Sequence, residues 1–452
     1  MKTADIHALT REHPLPDGEA RLLCAWDTVT PACTLLELAG RQLLVDCGAD
    51  PGAGSPLPPD DAAGADALVL THGHLDHVGG IPGLLAAGFS GPILATRATL
   101  AVARIVLGDS LRIGGAGNRD VRAFLAAFDR LSRAVPYFRP EAVDRGGELT
   151  VGFEEAGHII GSASVEVRTP GCRLIVSGDL GRPGSPVLRD FHTGWEGDRP
   201  VDLVLLESTY GDRVHEHDPQ ALTDELLRII EHARADGGQI LVPAFAVGRT
   251  QALLYHLDAL VESGRLSGLP VAVDSPMGLR MTETYGAFRA LFDEESLDKL
   301  SRGNDPLDFD GLYAVRKGGD SARIRSLERT MLIIAGSGMC TGGRIVAHLE
   351  ELLPRPETDL LFIGFQARGT LGRELLEIAA RGGIGRESVW IRGHEVPVNA
   401  AITALHGFSA HADRDELTRW LRSIPGARRV GLFHGEPESQ IALAAHLSEE
   451  EP

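Results

Sequence analysis

Apolar and polar positions alternate with a period of two in the first part of the chain and change to longer periods in the middle. Thr34-Leu35-Leu36-Glu37-Leu38 and Gln42-Leu43-Leu44-Val45-Asp46 flank Ala39-Gly40 and predict a β-hairpin closed by Asp46-Cys47-Gly48. Ala67-Leu68-Val69-Leu70 is a short, wholly apolar run of the kind a buried strand needs. A helix is expected from Gly79-Gly80-Ile81-Pro82 through Leu84-Leu85-Ala86, ending at Gly88, and then a strand at Pro92–Thr96. Residues 97–135 read as helical with a break at Gly114-Gly115. Strands return from Leu149: Ser164–Arg168 and Arg173–Ser177 form a hairpin across Pro170-Gly171, and Val201–Glu207 is a further buried strand.

The texture then changes. Between Asp218 and Gly393, strands near 239–243, 271–274, 331–335 and 360–364 alternate with helices near 221–235, 249–261, 277–292, 342–353 and 371–380. Such alternation implies a parallel sheet with helices on both faces. This region is expected to be a separate α/β domain inserted in the first one, so the chain divides into 1–210, 211–394 and 395–452. A helix at Glu416–Leu421 and a strand from Arg429 to His434 close the chain.

The chemistry concentrates after Leu70. Thr71-His72-Gly73-His74-Leu75-Asp76-His77 places three imidazoles and a carboxylate within six residues. Three histidines cannot be buried beside a carboxylate without a cation to satisfy them, and imidazole is a good zinc ligand. In extended chain His72 and His74 point the same way; Asp76 and His77 lie further round and could serve a second metal. The competing reading is a solvated polar loop. Asp46, His158, Asp179, His411 and His434 also stand at expected strand or loop ends. Asp46 is suited to orienting ligands from behind, or is simply a turn residue. Ala335-Gly336-Ser337-Gly338-Met339-Cys340 joins a strand to a helix, and its free backbone N–H groups suit a phosphate, or only a tight turn.

Composition narrows the setting. With 452 residues the chain can bury a large core, and 43% hydrophobic with 24% charged residues is ordinary for a globular protein. No apolar run nears the length of a membrane span, and Met1–Pro31 reads as neither a signal nor a transit peptide. The five cysteines are scattered without a CxxC, which predicts a reducing, cytoplasmic setting and no cysteine metal ligand. A net charge of -19 argues against a protein that coats nucleic acid through a basic surface, but two cations can make one positive cleft on an acidic body.

With Asp46, His158 and Asp179, the histidine cluster resembles the metallo-β-lactamase superfamily, an αββα sandwich with a two-metal hydrolase site at the strand ends. The region after Glu207 is similar to the β-CASP insertion of its nucleic-acid-processing branch, which includes the polyadenylation-factor endonuclease, ribonuclease J and Artemis. Glu207-Ser208-Thr209-Tyr210-Gly211, Phe408-Ser409-Ala410-His411-Ala412-Asp413 and Phe433-His434-Gly435-Glu436 match three motifs of that branch. The likeness covers roughly residues 20–445 and is greatest to compact bacterial and archaeal RNA-processing members. It implies that His72, His74 and His158 hold one zinc and that Asp76, His77 and His434 hold the other, with Asp179 bridging and Asp46 in support. It also implies that Glu207 orients His411, and that Ser337, Gly338 and Ser409 contact substrate phosphates. Histidine at the third motif, His434, marks RNA-acting members.

The expected activity is therefore hydrolysis of single-stranded RNA, with a metal-activated water as nucleophile and His411 as general acid, leaving a 3′-hydroxyl and a 5′-phosphate. Endonucleolytic action, two zinc ions per chain with manganese as the alternative, and a homodimer are the accompanying expectations. Four rivals are weaker on specific residues. A DNA nuclease of the same branch is disfavoured by His434, and a small-molecule hydrolase would not need Glu207 or the inserted domain. An inactive scaffold would lack ligands that are all present here, and a diiron flavoprotein would lack the Asp76-His77 pattern.

Overall fold

The computed structural model describes residues 5–25, 27–49, 60–144, 146–215, 219–327, 329–405 and 407–449. The chain forms two compact units, Met1–Val214 with Ala410–Pro452, and His215–Ser409.

The first unit is built on two seven-stranded sheets. In one, Glu12–Leu15, Gly18–Cys24, Cys33–Leu38 and Arg41–Val45 are antiparallel neighbours. Ala67–Val69, Ile93–Ala95 and Ser132–Ala134 then add in parallel. Parallel addition requires crossover connections, and here helices supply them: Ile81–Ala86, then Arg97–Ile113 with Asn118–Leu131. The other sheet runs Asp5–His7, Arg429–Phe433, Leu203–Glu207, Arg173–Val176, Ala163–Arg168, Thr150–Glu155, Glu141–Ala142.

Strand periodicity decides which residues meet. Leu174, Val176, Leu203 and Leu205 share one core with Val151, Phe153, Val165 and Val167 of their own sheet and with Leu36, Leu43, Val45 and Val69 of the other. The intervening Ile175, Val204, Leu206, Val430 and Leu432 face the opposite way, onto Leu417 and Trp420 of helix Arg414–Arg422 and Leu443 and Leu447 of helix Pro437–Glu449. In the first sheet, Leu35, Leu44 and Leu68 alternate to the outer face and are also fully buried. The result is the expected αββα sandwich. The strands Asp5–His7, Glu12–Leu15 and Gly18–Cys24 were not anticipated: their sequence, polar and mixed in charge, lacks a clean apolar alternation.

The second unit holds a six-stranded, wholly parallel sheet. Its order is Leu312–Ala314, Val271–Asp274, Leu332–Ala335, Ile240–Pro243, Asp359–Phe362, Ala401–Ala404. The second to fifth of these strands are buried along their whole length, as strands covered on both faces must be. Because Ala401–Ala404 pairs with Asp359–Phe362, this unit continues past residue 394 to Ser409. A hairpin, Ser388–Ile391 with His394–Pro397, was not anticipated. Arg392 and Gly393 both take positive φ, the geometry of a two-residue type I′ turn, without the Asn-Gly signal that would have announced it.

One buried charge holds the approach to Leu203–Glu207. The Arg173 side chain is fully buried and donates from Nε to Glu166 Oε1 at 2.6 Å, from Nη1 to Arg199 O at 2.9 Å and from Nη2 to Glu196 O at 2.8 Å. It thereby pins the loop that enters that strand. Removing one member of a buried pair leaves the other charge uncompensated. Arg173→Ala should cost about 3–5 kcal/mol, seen as an earlier urea unfolding transition of the first unit; an unshifted transition would mean that the loop is held by other contacts.

Candidate metal centre

Several parallel strands of both sheets in the first unit end on residues with donor side chains. Asp46 follows Arg41–Val45, Thr71 and His72 follow Ala67–Val69, Asp179 follows Arg173–Val176, Glu207 ends its strand, and His434 follows Arg429–Phe433. The expectation of extended chain through His74 holds only to that point. His74 is the N-cap of a one-turn helix, Leu75–Val78, which swings Asp76 and His77 away from His72 and His74. Gly178 permits the close approach of Asp179: its φ is +58°, and a Cβ there would lie 2.8 Å from Thr71 Cβ. Asp46 and His434 also take positive φ, an uncommon conformation for residues with side chains and one that clusters at functional sites.

The donors fall into two groups. His72, His74, His158 and Asp179 have ligand atoms within 4.8 Å of one another, and so do Asp76, His77 and His434. Asp179 reaches both. Its Oδ2 lies 3.5 Å from His72 Nε2 and 3.6 Å from His158 Nε2, while Oδ1 lies 3.3 Å from His77 Nε2 and 3.5 Å from His434 Nδ1. Oδ1 is buried and accepts no hydrogen bond.

The hydrogen bonds behind four of the rings favour a proton on Nδ1. His77 Nδ1 donates to Asp46 Oδ2 at 2.7 Å, and His158 Nδ1 to the Ala410 carbonyl at 3.1 Å. The Thr71 hydroxyl donates to Asp46 Oδ2 at 2.7 Å and so accepts from His72 Nδ1 at 3.2 Å. The Thr209 hydroxyl donates to His434 O at 3.1 Å and so accepts from His434 Nδ1 at 3.2 Å. All four rings therefore turn Nε2 inward. His72 Nε2 and His158 Nε2 both face His74 Nδ1 at 3.1 Å, and His77 Nε2 faces His434 Nε2 at 3.2 Å. Ring nitrogens converging at this spacing need a shared proton or a cation among them. The residues present thus fit two divalent cations. Nitrogen-rich donors with carboxylates suit zinc, and no cysteine is among them.

Electrostatics agree for the first group. Burial pushes His72 and His158 well below the usual imidazole range and His74 down to about 4, so these rings are neutral, as ligands must be. His77 differs: burial acts on it too, but the Asp179 and Asp46 carboxylates outweigh it and favour a second proton on the ring, which a cation would have to displace. Burial likewise opposes ionisation of Asp76, yet His434 and His77 keep it a carboxylate.

His411 stands outside both groups. Its Nδ1 lies 3.2 Å from Glu207 Oε1 and 4.0 Å from Asp179 Oδ2, and its side chain is 18% exposed. Glu207 is fully buried and held in turn by the Leu180 N–H on Oε1 and the Thr209 N–H on Oε2. The segment carrying His411 is tied to the loop after Asp179 by Ala412 N–H to Leu180 O at 2.8 Å. Asp413, in the same motif, caps helix Arg414–Arg422 in a reciprocal capping box with Glu416. The remaining candidates lie in the second unit: Ser337 and Gly338 in the turn after Leu332–Ala335, and Ser409 at its final residue. Ser337 Oγ accepts from Thr341 N–H at 3.0 Å. Thr71, Thr209 and the Ala410 carbonyl, which fix the tautomers, were not picked out from sequence; hydroxyls adjoining ligand motifs were the only signal.

Comparison with known proteins agrees with this geometry. Family profiles match residues 26–238 (metallo-beta-lactamase superfamily), 250–375 (Beta-Casp domain) and 395–452 (Zn-dependent metallo-hydrolase RNA specificity domain). The chain belongs to the β-CASP ribonuclease family of the metallo-β-lactamase superfamily, whose members are metal-dependent hydrolases. It is 38% identical to ribonuclease TTHA0252 of Thermus thermophilus over 96% of this chain and 95% of that one. It is 30% identical to the transcription termination factor FttA of Cenarchaeum symbiosum over 91% of this chain and 65% of that one. An RNase J-like protein of Methanocaldococcus jannaschii is 27% identical over 91% of each. A solved structure of a protein of unknown function from Enterococcus faecalis shares the fold, with a TM-score of 0.51 at 14% identity over 91% of this chain and 93% of that one.

Asp46 accepts hydrogen bonds from Thr71 N, Thr71 Oγ1 and His77 Nδ1, and so serves both metal groups. Asp46→Ala should weaken metal binding about 10- to 100-fold, read by chelator competition followed by elemental analysis. Retention equal to the unsubstituted protein would show that the rings orient themselves.

Proposed function

We propose that the chain is a two-metal ribonuclease that hydrolyses phosphodiester bonds in single-stranded RNA. The observation that carries this reading is Asp179, which turns one oxygen to each of two donor groups, with His411 held beside them but outside both. In this reading His72, His74 and His158 hold one cation, Asp76, His77 and His434 hold the other, and Asp179 joins them. Bound cations supply an activated water and stabilise the charge that develops on the phosphate.

The protein's own groups do the rest. Glu207 Oε1 accepts from His411 Nδ1, which keeps His411 Nε2 as the atom that holds the mobile proton. As water adds to phosphorus and the bond to O3′ breaks, His411 Nε2 delivers that proton to O3′, leaving a 3′-hydroxyl and a 5′-phosphate. Asp76 acts as a ligand and, still ionised, as an acceptor for the water proton. Ser337, Gly338 and Ser409 are assigned to substrate phosphates. RNA is favoured over DNA by His434 in the third motif and by the RNA specificity profile over residues 395–452.

The direct test counts metals per chain and follows cleavage of end-labelled single-stranded RNA and DNA of one sequence. Two metals and RNA-selective cuts with 5′-phosphate ends are expected; two metals without cleavage of either polymer would move the reading to a small-molecule hydrolase. His411→Ala should retain both metals and lower kcat about 10²- to 10⁴-fold, whereas His434→Ala should lose one metal. Full activity of His411→Ala would remove it from the role of acid.

A further inference from the structure

The carboxyl edge of the second unit's sheet carries an aromatic side chain that neither metal binding nor core packing uses. Four aromatic residues are well exposed among the described residues: Phe138, Tyr313, Phe365 and Trp390. Phe138 belongs to the first unit, Tyr313 to the edge strand Leu312–Ala314 and Trp390 to the hairpin. Phe365 alone stands in a turn that follows the carboxyl end of a parallel strand, Asp359–Phe362.

That edge is where an open parallel sheet binds ligands. Ile240–Pro243 and Leu332–Ala335 are adjacent and parallel, but the chain leaves the first toward Val271–Asp274 and the second, in the other direction, toward Asp359–Phe362. With the usual right-handed crossovers the two connections go to opposite faces, the topology at whose strand ends open parallel sheets bind ligands.

The turns around Phe365 are fixed while more than half of its own surface is open. Gln366 is 2% exposed and donates from Nε2 to Gly338 O at 2.9 Å and to Gly364 O at 3.1 Å, tying Phe365's own turn to the Ser337 turn. The Phe245 ring fills the space at both glycines: a Cβ on Gly338 would lie 2.7 Å from Phe245 Cδ2, and one on Gly364 3.6 Å from Cε2. Phe365, between Gly364 and the buried Gln366, leaves 56% of its surface to solvent. Arg249 opens helix Arg249–Glu262 with Nε 4.0 Å from the Cβ position of Gly364, and Arg368 is exposed in the same turn. A rigidly based, exposed phenyl ring with guanidinium groups nearby is what an unpaired base and its flanking phosphates require, and stacking of this kind tolerates any base.

We propose that Phe365 is a stacking platform for one base of the RNA substrate, and so a positioning residue for single strands. The proposal rests on the ribonuclease reading. A base paired within a duplex does not offer its face to the ring, so the platform also selects for unpaired RNA.

The test measures binding of fluorescein-labelled single-stranded RNA by anisotropy, and KM and kcat for its cleavage, with the metal-loaded enzyme. Phe365→Ala should raise Kd and KM about 5- to 100-fold, Phe365→Trp should restore both, and Phe365→Leu, apolar but without a π-face, should not. In the unsubstituted enzyme, an abasic nucleotide scanned along the RNA should reproduce the loss at one position, and Phe365→Ala should show no further loss there. Metal content and melting temperature report whether the variants fold. RNA binding and cleavage unchanged in Phe365→Ala would overturn the platform and leave the ribonuclease reading standing, with the ring free for a protein partner. Failure of the unsubstituted enzyme to cleave RNA would overturn the ribonuclease reading; binding that still depends on Phe365 and on the scanned base would then keep the platform.

Discussion

A buried imidazole lone pair must face a proton or a cation, and the first unit is arranged so that protons are taken up elsewhere. Asp46, the Ala410 carbonyl and the hydroxyls of Thr71 and Thr209 each claim the Nδ1 hydrogen of a ring whose Nε2 points inward. Each hydroxyl is itself committed, Thr71 to Asp46 and Thr209 to the His434 carbonyl, so the direction of every bond is set. The metal-binding character of the centre therefore lies as much in these acceptors as in the ligands. A donor set without them could relax by moving a proton onto an inward nitrogen.

The sandwich exists to bring those acceptors and rings to one edge. Parallel strands in each sheet put their carboxyl ends together, and Arg41–Val45, Ala67–Val69, Arg173–Val176, Leu203–Glu207 and Arg429–Phe433 each lead into a residue of the centre. The inward alternation of Leu174, Val176, Leu203 and Leu205 fixes the register, because a slip of one residue would turn these side chains out and Ile175, Val204 and Leu206 in. Glu207 is placed by the same register. Its carboxylate accepts from Leu180 N and Thr209 N, which leaves Oε1 at hydrogen-bond distance from His411.

Much of this was legible in the chain, for reasons that differ between elements. The run from His72 to His77 announces a cation because its ligands are consecutive and no packing role explains them. The helices and strands of the second unit were legible because parallel strands buried on both faces are continuous apolar runs. His158, Asp179, His411 and His434 were legible only together with the family's motifs, since a lone histidine or aspartate at a strand end is common. The N-terminal strands and the hairpin at Ser388–Pro397 were not legible. Asp5–His7 pairs with Arg429–Gly431 from the other end of the chain, which no local pattern announces, and the hairpin turns at Arg392-Gly393 without the Asn-Gly signal.

By itself, then, the sequence determined the local content: which runs extend, which coil, where the glycines allow turns, and which residue types can bind metal. Those properties depend on neighbours a few positions apart. The tertiary structure decided the division of the donors into two groups, the placement of Asp179 with one oxygen toward each, the partners of the ring nitrogens and the pairing of Glu207 with His411. These depend on contacts such as His77 with His434 and His158 with Ala410, whose partners are far apart in the chain. No local rule specifies such distances; they follow only when two sheets have packed and their strand ends have met.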